Sequence, residues 1–204
     1  MNEKIRNWRI GLVIIGILFI SGCVTLPRGT GLYKATPISN SIDKKVWLLK
    51  VVILDPSVDK KSSIEDSLTS NILEYLQEGR YFKEVNLLPG KVDEKDLVLR
   101  FQFDRYQQKR AVHPAYFPTA FLTATLYIWF GGPIFIDSSS LSGKLTVEDS
   151  HSTLITGVSS QVNEEHNVSF WSPEYALPSG IEARTSIIKE LLSKASDGIR
   201  QKER

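Results

Sequence analysis

The chain is predicted to fold as an α/β sandwich, a mixed sheet with two packed helices, and three observations carry that prediction. Short runs rich in β-branched residues are bounded by turn formers and alternate at period two. Two longer segments repeat apolar residues at helical spacing. Each helical segment has a single apolar stripe, so each must lay that stripe on a sheet to bury it.

The first strand is expected over Val46 to Leu54, closed by Asp55-Pro56 and apolar enough to be central and buried on both faces. A helix is expected from Ser62, because Ser62 and Glu65 have capping-box spacing and Ile64, Leu68, Ile72 and Leu76 recur every fourth residue. Gly79 is the expected left-handed carboxyl cap. Tyr81 to Leu88 predicts a short strand stopped by Pro89-Gly90, and Asp96 to Phe103 predicts another with Leu97, Leu99, Phe101 and Phe103 on one face.

Leu141 to Glu148 and Thr153 to Asn163 predict a hairpin around Asp149-Ser150-His151-Ser152. Leu145 and Val147 alternate on its first arm, and Leu154, Thr156, Val158 and Val162 share a face of the second. The last helix opens at a second capping box, Ser179 with Glu182, and its stripe is Ile181, Ile188, Leu191, Leu192, Ala195 and Ile199. Arg200 to Arg204 is expected to fray.

The amino end has a different character. Lys4, Arg6 and Arg9 precede an apolar run from Ile10 to Ile20, and small residues follow it, which are the parts of a secretory signal. Ile20-Ser21-Gly22-Cys23 resembles the lipobox of bacterial lipoproteins. The resemblance implies lipidation of Cys23, cleavage before it and acylation of the new amino terminus. Ile10 to Ile20 is too short to span a bilayer, which takes about 20 apolar residues. Val24 lacks the Asp that resembles the inner-membrane retention signal of enterobacterial lipoproteins, which implies the outer membrane in a bacterium that has two. The expected organisation is a signal over 1–22, a lipidated cysteine and flexible tether over 23–43, and one periplasm-facing domain over 44–204. Turn formers between Thr25 and Ser41 predict the tether, with a reach of roughly 25 Å. Leu32 and Tyr33 are its candidates for docking onto the domain.

Composition narrows the function classes. The 204-residue chain carries a formal charge of +2, and residues 1–22 contain three cations and one anion, so cleavage leaves the mature chain neutral. A neutral chain lacks the basic footprint of a nucleic-acid binder. Cys23 is the only cysteine, so lipidation leaves no thiol for a disulfide, a thiolate nucleophile or a cysteine metal site.

The order of a strand ending Leu54-Asp55-Pro56, a helix from Ser62, Gly79-Arg80-Tyr81-Phe82-Lys83-Glu84-Val85 and then Asp96-Leu97-Val98-Leu99 resembles a group of envelope proteins. That group contains the curli-secretion lipoprotein, the lipoprotein activators of penicillin-binding proteins and the amino-terminal domain of the Tol system's β-propeller protein. The resemblance covers residues 46–103 and implies a small α/β sandwich that docks envelope proteins, without catalytic residues.

Between Ala111 and Ile136 there is no Asp, Glu, Lys or Arg, and Thr119 to Phe130 is mostly apolar between Pro118 and Gly131-Gly132-Pro133. Three readings are open for this insertion: a buried core element, a surface that contacts membrane or a partner, or membrane insertion after oligomerisation. Tyr127, Trp129 and Phe130 are the candidate contact residues. A second aromatic cluster, Phe170, Trp171 and Tyr175, reads either as a loop over the sheet edge or as a hot-spot surface. A carrier for an apolar ligand would instead use Phe121, Leu122, Leu126 and Trp129 as a pocket wall.

Motifs for chemistry are missing. His113, His151 and His166 with Asp149, Glu164 and Glu165 fit no regular ligand pattern, so no metal or cofactor is expected. There is no Gly-x-Ser-x-Gly elbow, no Ser-x-x-Lys with its companion motifs, and no Lys-Ser/Thr after Gly131-Gly132 to make a phosphate loop. The expectation is a non-enzymatic, membrane-anchored accessory or assembly factor that binds an envelope protein and is able to self-associate.

Overall fold

The computed structural model describes residues 29–123, 126–177 and 179–202. The signal segment and Cys23 lie outside the described residues. The expected α/β architecture is what forms, a mixed sheet of six strands with four helices among the described residues.

The predicted first strand is present in two pieces, β1 (Ile42–Leu48) and β2 (Val52–Ile53), both parallel to β4 (Leu97–Val112). The break comes from the helix that follows, α1 (Lys61–Gly79). Thr69 Oγ1 accepts the Val51 N–H at 2.9 Å, and Glu65 Oε1 accepts the Ile53 N–H at 2.9 Å. Side chains of α1 thus replace a strand partner where the ladder stops, leaving those donors satisfied. The predicted capping box is consequently not formed: Glu65 is committed to Ile53, and Ser62 Oγ accepts from Lys50 Nζ at 3.3 Å. The residue before the helix, Lys60, is left-handed and makes no side-chain cap. Arg80, at φ 50°, is the left-handed carboxyl cap in place of Gly79. Gly79 is needed for another reason, because a Cβ there would lie 2.5 Å from the Tyr81 ring.

Strand β3 (Phe82–Leu87) pairs parallel with β1. Antiparallel pairing continues from β4 to β5 (Pro133–Asp149) and on to β6 (Leu154–Ser169), giving the order β3-β1-β4-β5-β6 with β2 beside β4. The β5–β6 turn is the predicted one. Asp149 Oδ1 accepts the backbone N–H groups of His151 and Thr153 at 2.9 and 2.8 Å, and Ser152 takes φ 61°. A register shift beside Val147 changes the start of β6, so Ile155 packs on the core and Leu154 is exposed.

The final helix, α4 (Ile181–Lys202), buries every residue of its predicted stripe. Its start is not the predicted capping box. Gly180, at φ 73°, accepts the Arg184 N–H, and Ser179 gives its carbonyl to Arg184 Nη1 at 2.8 Å. Helices α1 and α4 cover one face of the sheet around a single apolar cluster that includes Leu97, Leu99, Phe101 and Phe103, as predicted. The opposite face carries Arg100, Gln102, Lys144 and Thr146. The helix–sheet closeness depends on Gly198, where a Cβ would sit 2.5 Å from Thr156 Oγ1.

From Gly29 onward, the segment expected as a tether is bonded to both helices. Arg200 bonds the Asn40 carbonyl, Thr185 Oγ1 accepts the Tyr33 N–H at 3.0 Å, Asn71 donates to the Thr30 carbonyl at 2.8 Å, and Ile38 N–H reaches Gly79 O at 3.0 Å. Leu32, Ala35 and Ile38 pack against the core. The polar spacing that suggested a tether reflects a strap whose apolar residues point inward one at a time. The strap runs parallel to α4, from Gly31 beside Arg184 to Asn40 beside Arg200.

Candidate functional site: an aromatic tip on a polar neck

Strands β4 and β5 outrun the core. Among the described residues, the apolar cluster has no member between Tyr106 and Leu141. Beyond that point the inward positions turn polar: Gln108 and Arg110 on β4 face Ser139 and Asp137 on β5 in register, and all four are buried. Arg110 grips Asp137 with two bonds, Nε to Oδ1 at 2.6 Å and Nη2 to Oδ2 at 2.7 Å. Such a bidentate pair combines charge with fixed geometry. The same guanidinium donates to the Glu174 carbonyl at 3.0 Å and lies 5.6 Å from the centre of the Phe135 ring.

Arg184, 1% exposed, ties the neck to the helices. Its Nη1 donates to Gln108 Oε1 and the Ser179 carbonyl, and its Nε donates to the Gly31 carbonyl at 2.9 Å. Burial pushes its guanidinium below the ordinary value, against the opposing influence of Tyr106. Tyr106 in turn donates its hydroxyl to the Gly29 carbonyl at 3.1 Å. The start of the described chain is therefore fixed at the base of the neck.

Above the neck the uncharged insertion forms two short helices, α2 (Tyr116–Leu122) and α3 (Leu126–Trp129), in place of a single core element. The core reading of this segment is overturned, because Phe130 is 87% exposed, Leu122 81% and Trp129 67%. Pro118 near the start of α2 and Gly131, at φ 79°, keep both elements short. The backbone is nonetheless well bonded: Thr119 N–H to Ala115 O, Thr123 N–H to Thr119 O, Phe130 N–H to Leu126 O and Gly132 N–H to Tyr127 O, each at 2.9 to 3.1 Å.

The two aromatic clusters that the sequence separates are one surface in the fold. Trp129 and Trp171 have ring centres 5.8 Å apart, Trp171 and Phe170 meet edge to face at 5.0 Å, and Phe170 lies 5.2 Å from Tyr175. Trp129, Phe130, Phe170 and Trp171 are exposed. Tyr127 turns inward instead. Its ring covers Gly132, where a Cβ would clash at 2.4 Å, and its hydroxyl bonds the Pro133 carbonyl at 3.3 Å. Tyr175 backs the patch by packing 6.1 Å from Phe135.

A cleft of about 490 Å³ lies under the patch, with Ile128, Trp129, Phe135 and Trp171 among its walls. Of the predicted pocket wall, Trp129 lines it and Leu122 and Leu126 do not; the Phe121 side chain lies outside the described residues.

The histidines do not converge. His113 Nδ1 accepts the Ala115 N–H, and Asp149 is occupied in the His151 turn. His166 stands 3.3 Å from Glu164 and 3.8 Å from Glu182 beside a small cleft of about 170 Å³. Among the described residues no group of three such side chains is arranged for a metal, and no helix is long and apolar enough to cross a membrane.

Sequence reasoning missed the neck, although a signal was present. Arg110 and Asp137 are the charges that bracket the uncharged run, and Tyr106, Gln108 and Arg110 resume the alternation one residue out of phase, after a bulge between Phe103 and Arg105.

No protein-family model and no curated protein matches this chain. Solved structures do. A Xanthomonas campestris protein described by the DUF330 family model has a TM-score of 0.52 at 10% identity, over 83% of this chain and 94% of that one. A PelC dodecamer from Paraburkholderia phytofirmans is similar with a TM-score of 0.43 at 14% identity, over 78% and 91% of the two chains. A minor lipoprotein from Acinetobacter baumannii gives 0.32 at 13%, over 78% and 92%. The first likeness shows a shared fold.

Proposed function

We propose that this chain is a lipid-anchored protein of the bacterial envelope, held by acyl chains on Cys23, that works without catalysis as an accessory or assembly factor. Its working surface is the aromatic tip, through which it docks another envelope component. The observation that carries this reading is the meeting of exposed Trp129, with Phe130 next to it in the chain, and exposed Phe170 and Trp171 on one aromatic surface. Trp and Tyr are the residues that concentrate binding energy at interfaces. In the neck, by contrast, Arg110 is paired with Asp137 and Arg184 bonds Gln108. Nothing in that arrangement offers a nucleophile beside a base. In a bacterium with two membranes, Val24 after the lipidated cysteine favours the outer one.

A second reading has one observation in its favour. The cleft of about 490 Å³ under the patch has the size of a small-ligand site, so the chain also suits a carrier of a lipid or other apolar molecule. The two readings separate by native mass spectrometry and crosslinked pull-down from bacterial envelopes. A ligand-free protein that captures a defined component, with capture lost in Trp129→Ala/Phe130→Ala and thermal stability unchanged, supports docking. A bound lipid mass without a captured component makes it a carrier, and a large stability loss in the double variant assigns these rings to the fold.

A further inference from the structure

We infer that the aromatic tip seats in the interface of the same bilayer leaflet that holds Cys23, so that the protein is attached at two points. The inference rests on the lipid-anchor reading above and names the component that the tip contacts. Four observations lead to it.

The first is reach. The strap runs from Asn40 toward Gly29 along α4, and Gly29 is fixed at the base of the neck by Tyr106. Five residues lie between Cys23 and Gly29, and the six Cα-to-Cα steps span at most about 20 Å. From Tyr106 to Val112 the strand β4 climbs six residues, also about 20 Å. The chain ahead of Gly29 is therefore long enough for the anchor and the end of the neck to reach one plane, and a strap pinned so near the neck limits how far the domain can move from it.

The second is charge. Ala111 to Ile136 contains no Asp, Glu, Lys or Arg, so seating the insertion desolvates no carboxylate, ammonium or guanidinium of its own, and Glu174, half-buried in the neighbouring turn, borders the neck cleft with Asp137 and His166. Arg110, the first cation below it, is already neutralised by Asp137 in the neck. The third is backbone satisfaction, which a non-aqueous environment demands. The helical turns of the tip bond internally, and Thr123 Oγ1 both donates to the Thr119 carbonyl and accepts the Tyr127 N–H. The fourth is composition. Leu122, Leu126 and Phe130 project at the outside, with Trp129 and Trp171 beside them. Tryptophan prefers the headgroup level of a bilayer and leucine and phenylalanine the hydrocarbon below it.

The chain supplies its own reporter. Once the signal carrying Trp8 is removed, the tryptophans are Trp47, buried beside Asp96, and the exposed Trp129 and Trp171. The mature lipidated protein is reconstituted into phosphatidylcholine vesicles whose acyl chains carry bromine, which quenches nearby tryptophan. The expected result is quenching with a blue-shifted emission, unaffected by added salt, and lost in Phe130→Asp, which puts a charge on an exposed side chain and leaves the tryptophans in place. Protein that floats with the vesicles but whose emission ignores the bromine overturns the inference and leaves the anchor reading standing. That is also the outcome if the patch seats a second copy or a protein partner. Protein that does not float overturns the anchor reading and the inference with it.

Discussion

Two buried polar residues decide how firmly the ends of the sheet are held. Asp137 neutralises Arg110, which in turn holds the Glu174 carbonyl and so the loop that carries Trp171. Asp137→Asn keeps the shape and removes the charge, leaving a buried cation without its counter-charge. A loss of about 3 kcal/mol is expected in urea titrations, with a red-shifted Trp171 emission as the loop loosens. Stability unchanged within error would mean that water replaces the pair. Asp96 sits at the opposite end, accepting from Trp47 Nε1 at 2.8 Å and from Asp93 N–H at 3.0 Å. Burial pushes its carboxyl up, but these bonds outweigh burial and hold it below the usual value. A depressed carboxylate contributes stability that is present above the unfolded value and lost as pH falls through the folded one. Asp96→Asn is thus expected to cost about 1–3 kcal/mol at pH 7, and the gap to the parent should close as pH drops below about 3.9. A gap that stays constant to pH 2 would show that the charge contributes nothing.

At the scale of elements, periodicity was a good guide where burial alone fixes the pattern. The stripe of α4 and the alternation of Leu97 to Phe103 are both as read, since each demands only one apolar face. Terminal residues were harder to read, because tertiary partners compete for the same groups. Glu65 had the spacing of a cap and is bonded to Ile53, and Gly79 had the character of a left-handed cap and is shaped by the Tyr81 ring. Strands β4 and β5 were predicted short because a bulge after Phe103 shifts the alternation of β4, and beyond Tyr106 and before Leu141 the inward positions are polar, at Gln108 and Ser139, which a hydrophobic pattern reads as the end of a strand. The tip was visible as an uncharged apolar run, but its meeting with Trp171 depends on three-dimensional register. Gly198 tests the packing between elements. In Gly198→Ala, a helix-propensity gain of about 1 kcal/mol opposes overpacking against Thr156 of about 1–3 kcal/mol. The contact reaches 3.0 Å even at the rigid Thr156 Cβ, so a net loss is expected. Adding Thr156→Ala, which removes the Oγ1 contact at 2.5 Å and keeps the Cβ, should recover part of it, and a purely additive double-mutant cycle would place the strain elsewhere.

For the whole molecule, the division into core, neck and tip separates stability from contact. The apolar cluster spans residues 42–106 and 141–199 and is contacted by the strap from Leu32, while the exposed aromatic rings stand beyond the neck. Folding draws on the first part, and the membrane seating proposed above would draw on the second. Replacing residues 113–134 by a two-residue Asn-Gly turn between the paired Val112 and Phe135 removes the tip and keeps the neck pair. Because the apolar cluster between sheet and helices loses no member and Ile134 is the one buried apolar side chain removed among the described residues, the midpoint of urea unfolding is expected to change little, with the slope reduced by the surface the tip contributed. The same protein should float through Cys23 yet show Trp171 no longer quenched by brominated chains, since one ring cluster alone cannot reach past the shortened hairpin. A collapse of stability would mean that the insertion is part of the folding unit, and its exposed aromatic surface would then need a structural explanation. Retained quenching would transfer the membrane contact to the Phe170-Trp171 loop, held in place by Arg110 through the Glu174 carbonyl.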